Sequence, residues 1–387
     1  MAFIPYGRQT ITEEDIKAVT EILRSDFLTQ GPAVPAFEAA VAAHCSARHA
    51  VAVNSATSAL HLACLALGAG PGDLVWTSPI TFVASANCAL YCGARVDFVD
   101  IDPETFNMST EALAAKLEQA EKTGALPKIV IPVHMAGLSC DMAAIGRLAE
   151  RYGFAVIEDA SHTIGARYQD RPVGDCRFSD ITVFSFHPVK IITTAEGGMA
   201  VTNNETLARK MALLRSHGVT RDPAEMTHAP EGGWYYQQVA LGFNYRMTDI
   251  LAALGSSQMK SLDMWVAQRR RLAARYDAAL AALPLILPAR RQDASSAWHL
   301  YIVQVKESAP MNRAALYQAL RQDEIGVNVH YIPVHLQPYY RQFGFRPGDF
   351  PNAEAYYRRA LSLPLFAGLS DVQQDRVMER LHGYVSA

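Results

Sequence analysis

The sequence predicts an α/β fold, in which a large, mostly parallel sheet is covered by helices on both faces and followed by a smaller α+β domain. Three observations carry this reading. From His49 onward short apolar runs alternate with helical patterns, the rhythm of successive strand–helix–strand units. The chain has 387 residues, enough to bury a substantial core and more than one domain. After Pro284 and Pro288 the pattern changes to mixed strands and helices. The reading therefore places a large domain, with an N-terminal arm and a long linking helix, at 1–285, and a small C-terminal domain at 286–387.

Taken in order, the first helix starts near Thr12. Glu13, Glu14 and Asp15 suit the positive end of a helix dipole, and Ile16, Val19 and Leu23 give it one apolar face. Strands are expected at 50–53, 73–77, 96–99, 128–133, 154–158, 181–186 and 199–202. Helices are expected at 57–67 and 82–91, and from the cap Asp141 to Tyr152. The segment 217–245 is irregular and rich in Gly, Pro and aromatics, and loops that long inside a domain usually serve function or a partner. One long helix is expected at 248–283, with the run Arg269-Arg270-Arg271 on a solvated face. Beyond it, 300–305 and 326–331 read as strands, and 313–321 and 371–381 as helices.

Composition narrows the function classes. Half of the residues are hydrophobic and 19% are charged, so the chain is not mainly disordered. A net charge of −3 gives no general attraction to nucleic acid or to an anionic membrane. The most apolar stretch, 47–72, is broken by Asn54, Ser55, Thr57 and His61, too polar to span a bilayer. No basic-then-apolar leader opens the sequence, so a cytoplasmic protein is expected. The six cysteines form no CxxC pair and read as buried apolar groups in a reducing compartment, and no metal site is expected.

Three segments could carry chemistry. In Asn54-Ser55-Ala56-Thr57-Ser58 a strand ends, small polar residues follow, and a helix begins. Free N–H groups and hydroxyls there make an anion site, although alone the turn reads equally as a simple Ser/Thr cap. In Val156-Ile157-Glu158-Asp159-Ala160-Ser161-His162 an acidic pair ends an apolar strand, where open α/β sheets bind ligands. A carboxylate there could hold a cationic ring nitrogen or cap the next helix. In Ser185-Phe186-His187-Pro188-Val189-Lys190, followed by Glu196-Gly197-Gly198, a lone lysine sits among uncharged neighbours. Desolvation would keep its amine unprotonated, as a Schiff-base lysine requires, whereas a surface lysine needs no such setting.

Together and in this order, these segments resemble the DegT/DnrJ/EryC/StrS family of sugar aminotransferases. That family shows an Asn-Gly-Thr or Ser-Ala-Thr turn, a Glu-Asp-Ala-Ala-His/Gln strand end, and Ser-Phe-x-x-x-Lys followed by Glu-Gly-Gly. The resemblance runs from Pro5-Tyr6-Gly7-Arg8 to Ser362-Leu363-Pro364-Leu365 and includes Thr81-Phe82, Gly242–Asp249 and His330–His335. It implies the aspartate-aminotransferase-like (type I) fold of pyridoxal-phosphate-dependent transferases and pyridoxal 5′-phosphate as cofactor.

Residue by residue, the resemblance implies a catalytic set of Lys190, Asp159 and His162. Lys190 forms the Schiff base and moves the proton, Asp159 pairs with the ring nitrogen, and His162 approaches the ring hydroxyl. Phe82 stacks on the ring. Ser55, Ala56, Thr57 and Ser185 hold the phosphate. Asn244 reaches the phosphate of a neighbouring subunit, so a homodimer with a shared active site is implied. Tyr6, Arg8, Thr29, His330, Tyr331 and His335 are candidates for the sugar and nucleotide, and each could equally be structural. The chain departs from its relatives at Ala195, where many have Gly, and at Ser55-Ala56, where others have Asn-Gly.

The runs 28–32 and 78–87 point further, to the branch that serves pseudaminic acid biosynthesis. There L-glutamate aminates C4 of a UDP-linked 4-keto-6-deoxy-N-acetylhexosamine to give UDP-4-amino-4,6-dideoxy-N-acetyl-β-L-altrosamine. Amination of another nucleotide-linked keto-sugar, at C4 or C3, is the alternative. A pyridoxamine-dependent sugar dehydratase is disfavoured, because such relatives have His where Lys190 stands. Intact Asp159, Lys190 and Ser185 disfavour a non-catalytic nucleotide-sugar binder. A dinucleotide enzyme lacks its Gly-x-Gly-x-x-Gly after the first strand.

Overall fold

A computed structural model of the protein describes residues 2–386. Its large sheet has seven strands: β1 (His49–Val53), β2 (Leu74–Thr77), β3 (Arg95–Phe98), β4 (Ile129–Ile131), β5 (Ala155–Asp159), β6 (Ile181–Ser185) and β7 (Gly198–Thr202). Their spatial order is β1-β7-β6-β5-β4-β2-β3. β7 runs antiparallel to both neighbours, and the remaining pairs are parallel.

Helices cover both faces: α1 (Glu13–Leu23), α2 (Ala33–Cys45), α3 (Ala56–Ala66), α4 (Ala84–Tyr91), α5 (Thr110–Thr123), α6 (Met142–Tyr152), α7 (Glu205–Leu214), α8 (Asp249–Met259) and α9 (Leu262–Leu280). Alternation along the strands decides which helices each side chain meets. Val51, Val53, Ile129, Ile131, Ile157 and Val183 point into the core built with α3, α4 and α7. The intervening Ala52 and Phe184 face α2, while Val130 and Val156 face α5 and α6.

The C-terminal part carries a three-stranded antiparallel sheet of β8 (Leu285–Ile286), β9 (Tyr301–Val305) and β10 (Ala360–Leu363), in the order β8-β9-β10. α10 (Arg313–Gln322), α11 (Pro351–Arg359) and α12 (Asp371–Val385) complete it. Its core also draws on Ile4 and on Tyr276 and Leu280 of α9. Among the described residues no helix is long and apolar enough to cross a membrane.

Four sequence expectations need correction. The single helix at 248–283 is two, which meet at Lys260-Ser261, so that α8 packs on α1 and α2 while the last turns of α9 reach the small sheet. The segment 326–331 is not a strand. Its ladder pairing is limited to single bridges, Ile4 to Ile325 just before it and Asn328 to Ser362 within it, and it carries His330 and Tyr331 into a cavity. The apolar face of α1 is not its buried face: Ile16 and Leu23 are 51% and 57% exposed, whereas Asp15 is buried. Asp15 closes a capping box with Thr12 and accepts from Gln258 Nε2 at 2.7 Å. In the arginine run, Arg269 is buried and donates to the carbonyls of Trp298, His299 and Leu365. With no carboxylate beside it, burial pushes its pKa down to about 10.

Candidate active site

A cavity of about 540 Å³ opens where the parallel strands β1, β5 and β6 end. This is the position at which open α/β sheets bind ligands. Of the residues singled out in the sequence, it gathers Tyr6, Ser55, Ala56, Thr57, Phe82, Asp159, His162, Ser185, Lys190, His330 and Tyr331.

The strand alternation that builds the core also separates the acidic pair at the end of β5. Glu158 turns away from the cavity and meets His134 Nε2 at 2.7 Å and the hydroxyls of Ser179 and Thr182. Asp159 turns into the cavity while remaining buried. Its Oδ2 accepts from Ser85 Oγ at 2.6 Å and its Oδ1 from the Ser161 N–H at 3.1 Å.

At the end of β1, Ser55 caps α3 by accepting the Ser58 N–H at 3.1 Å. That leaves the N–H groups of Ala56 and Thr57, in the first turn, without intrahelical partners and aimed at the cavity rim. The start of β7 lies against this turn. A Cβ on Gly198 would sit 2.5 Å from the Ala56 nitrogen and 2.6 Å from the Ser55 oxygen. Gly198 thus permits close approach of one backbone to another.

Lys190 lies on the loop after β6. It lines the cavity, so part of it is accessible, but protein encloses it closely. Burial pushes its pKa down to about 8, against a smaller opposing pull from Asp159. Among the described lining residues it is the single lysine or arginine.

Two histidines beside it, His162 and His330, are neutral. Burial, then the Lys190 charge, holds His162 well below its ordinary value and His330 at about 3. His162 Nε2 lies 3.2 Å from the Tyr331 hydroxyl, and its buried Nδ1 has no partner within the protein. His330 Nδ1 meets Ser362 Oγ at 2.8 Å, and its ring packs 5.3 Å from that of Tyr6. Phe82 is 59% exposed, with its ring 6.3 Å from Tyr331, so a large apolar face borders the cavity.

Four expected site residues lie outside. Arg8 and Asn244 are exposed and do not line the cavity. Thr29 bridges Thr248, beside Asp249, whose carboxylate accepts from Gly31 and Ala33 N–H groups at 2.8 and 2.7 Å. His335 is buried against Phe98 and Phe350, with Nε2 at 3.1 Å from Glu354. Sequence reasoning missed Ser85 and His299. Ser85 is one helical turn after Thr81, a spacing that could have drawn notice; His299, whose ring is 4.4 Å from His162, gave no signal.

These groups fit pyridoxal phosphate. The α3 terminus and Ser185 suit a phosphate, Asp159 suits a protonated ring nitrogen, and the partnerless buried Nδ1 of His162 marks a polar site unfilled by protein alone. A lysine held near pH 8 suits Schiff-base chemistry. Fold and cavity together define a pyridoxal-phosphate-dependent aminotransferase.

The chain belongs to the DegT/DnrJ/EryC1/StrS aminotransferase family, whose model matches residues 9–382. It is 43% identical over 387 residues to the spore coat polysaccharide biosynthesis protein SpsC of Bacillus subtilis, covering 99% of this chain and 97% of that one. Among solved structures, PseC of Helicobacter pylori, an aminotransferase involved in the biosynthesis of pseudaminic acid, superposes with a TM-score of 0.90 at 31% identity, covering 99% of each chain. The PLP form of the sugar aminotransferase Spr1654 from Streptococcus pneumoniae gives a TM-score of 0.89 at 31% identity, covering 99% of this chain and 98% of that one.

Proposed function

We propose that the protein transfers an amino group from L-glutamate to C4 of a UDP-linked 4-keto-6-deoxy-N-acetylhexosamine. The product is UDP-4-amino-4,6-dideoxy-N-acetyl-β-L-altrosamine, a precursor of pseudaminic acid. The observation that carries the amino-transfer chemistry is Lys190, a cavity lysine with its pKa near 8, facing the same space as Asp159. The likeness to PseC supports the sugar.

When bound, pyridoxal phosphate supplies a carbonyl carbon that joins to amines and a ring that draws electrons from that carbon. The residues of the chain do the rest. The Ala56 and Thr57 N–H groups with Ser55 and Ser185 hold the phosphate. Phe82 covers one face and excludes water. Asp159 keeps the ring nitrogen protonated. Lys190 would join the cofactor's carbonyl carbon and would move a proton between the donor carbon and the sugar carbon. His162 stays neutral and acts as a hydrogen-bond partner beside Tyr331.

We further propose that the 1–285 part holds the cofactor, that 286–387 forms a second domain over it, and that Asn244 completes the site in a homodimer. A second reading, amination of a different nucleotide-linked keto-sugar, draws on the higher identity to SpsC. One experiment separates the two. Glutamate alone should bleach the visible absorbance of the loaded enzyme, and the keto-sugar should restore it. If a panel of UDP- and dTDP-linked 4-keto sugars restores it only with another isomer, the pseudaminic acid reading fails and the aminotransferase stands.

A further inference from the structure

Asp159 does not stand alone on the cavity wall. Ser85 Oγ donates to its Oδ2 at 2.6 Å, and Thr81 Oγ1 lies 2.6 Å from Ser85 Oγ. Because the Ser85 proton goes to the carboxylate, Thr81 must donate to Ser85. The two hydroxyls then form a directed chain, Thr81 to Ser85 to Asp159, in which each bond polarises the next. All three side chains are buried, at 3%, 1% and 4% exposed. Little of any of the three meets solvent, so water substitutes poorly for a lost donor and the chain acts on a charge in a medium of low polarity.

The placement follows from local structure. Thr81 lies three residues before α4 and Ser85 is its second residue, and the turn into the helix brings the two hydroxyls together. That turn meets the carboxyl end of β5 through the Ser85–Asp159 bond, and Ser85 also lies 3.4 Å from the Phe82 carbonyl. The same turn that presents Phe82 to the cavity thus anchors Asp159.

We propose that Ser85, backed by Thr81, is a positioning residue for Asp159. It holds the carboxylate plane toward the ring nitrogen and spreads the negative charge over a hydroxyl. The Ser161 N–H on Oδ1 fixes the carboxylate from the other side. Between them they leave Asp159 one orientation. This inference rests on the reading of Asp159 as the partner of the ring nitrogen.

The test uses the enzyme loaded with pyridoxal phosphate and reads the pH midpoint of its visible absorption change, with the dissociation constant for the cofactor beside it. Ser85→Ala concentrates charge on Asp159 and loosens its hold on the ring nitrogen; a more negative neighbour and a less positive ring both make the Schiff-base nitrogen of Lys190 hold its proton more tightly. The midpoint should rise by about half a pH unit or more, and turnover should fall roughly tenfold. Ser85→Thr, which keeps the hydroxyl, should stay near wild type. Thr81→Val, which leaves Ser85 in place, should shift the midpoint the same way by less, and it serves if Ser85→Ala does not fold. A Ser85→Ala enzyme with the wild-type midpoint overturns the proposal. Asp159→Asn keeps the two ideas apart. If it moves the midpoint while Ser85→Ala does not, only Ser85 loses its role. If neither moves it, the reading of Asp159 itself fails.

Discussion

At the level of single residues, Lys190 and Ala195 each hold a conformation or charge state that the site imposes. Burial lowers the Lys190 pKa from 10.5 to about 8, so its neutral amine is the favoured form above that value. Between about 8 and 10.5 the unfolded chain holds a proton that the folded chain has released, so the cofactor-free protein gains stability as pH rises through this window. Capture of pyridoxal phosphate follows the same group. Its rate should climb about tenfold per pH unit below pH 8 and level off above. A stopped-flow rate that stays flat across that range would remove Lys190 as the nucleophile. Ala195 sits at φ 65°, in the left-handed region, just before the Glu196-Gly197-Gly198 turn. Relatives with Gly at this position avoid the clash of Cβ with the carbonyl. Ala195→Gly should therefore stabilise the protein by about 0.5–1 kcal/mol, less the extra entropy that Gly loses on folding. Urea denaturation checks it, and a lowered midpoint would mean that the turn has no strain to release.

At the level of elements, the proposed phosphate turn depends on two segments far apart in sequence. β7 must approach the N-terminus of α3 so closely that its first residue has no room for a side chain. Gly198→Ala places a carbon 2.5 Å from backbone atoms of Ser55 and Ala56, and neither can rotate away. Stability should fall by about 1–3 kcal/mol, and cofactor affinity should fall at least tenfold, since the displaced N–H groups are the proposed phosphate ligands. Equilibrium dialysis would show this; an unchanged affinity would place the phosphate elsewhere. The Glu-Gly-Gly motif was visible in the sequence, but its reason was not, because the contact joins residues that no local pattern connects. The same limit explains the other misses. Short apolar runs made β1, β4, β5 and β6 legible, because strands buried on both faces read as nearly continuous apolar stretches. The break at Lys260-Ser261 has neither Pro nor Gly to mark it. Arg269 is indistinguishable from Arg270 and Arg271 until the carbonyls of Trp298, His299 and Leu365 converge on it. Thr29 drew attention as a candidate ligand because its run is distinctive, yet that run is anchored by Asp249 at the head of α8.

For the whole molecule the open question is how many copies make one site. The cavity carries a single lysine or arginine among its described lining residues, whereas the proposed nucleotide-sugar brings a diphosphate and glutamate brings two carboxylates. Asn244 lies outside the cavity and is exposed, close to the end of β1, where its carbonyl is 3.5 Å from Asn54 Nδ2. Around its segment large apolar groups face solvent: Tyr91 is 54%, Trp234 74% and Leu241 82% exposed. Surfaces of that kind commonly mark contacts with another chain. If Asn244 serves the phosphate of a partner, subunits with separate defects should repair each other. Mixing inactive Lys190→Ala subunits with impaired Asn244→Ala subunits gives hybrids with two unlike sites. One site carries both substitutions, and the other combines the native lysine with the native asparagine. Random exchange of equal amounts makes about half of all dimers hybrid, so about a quarter of the sites should recover. Turnover of the mixture should approach a quarter of wild type. If mass spectrometry shows that the subunits have exchanged and activity does not return, each chain builds its site alone and Asn244 has no role across the interface.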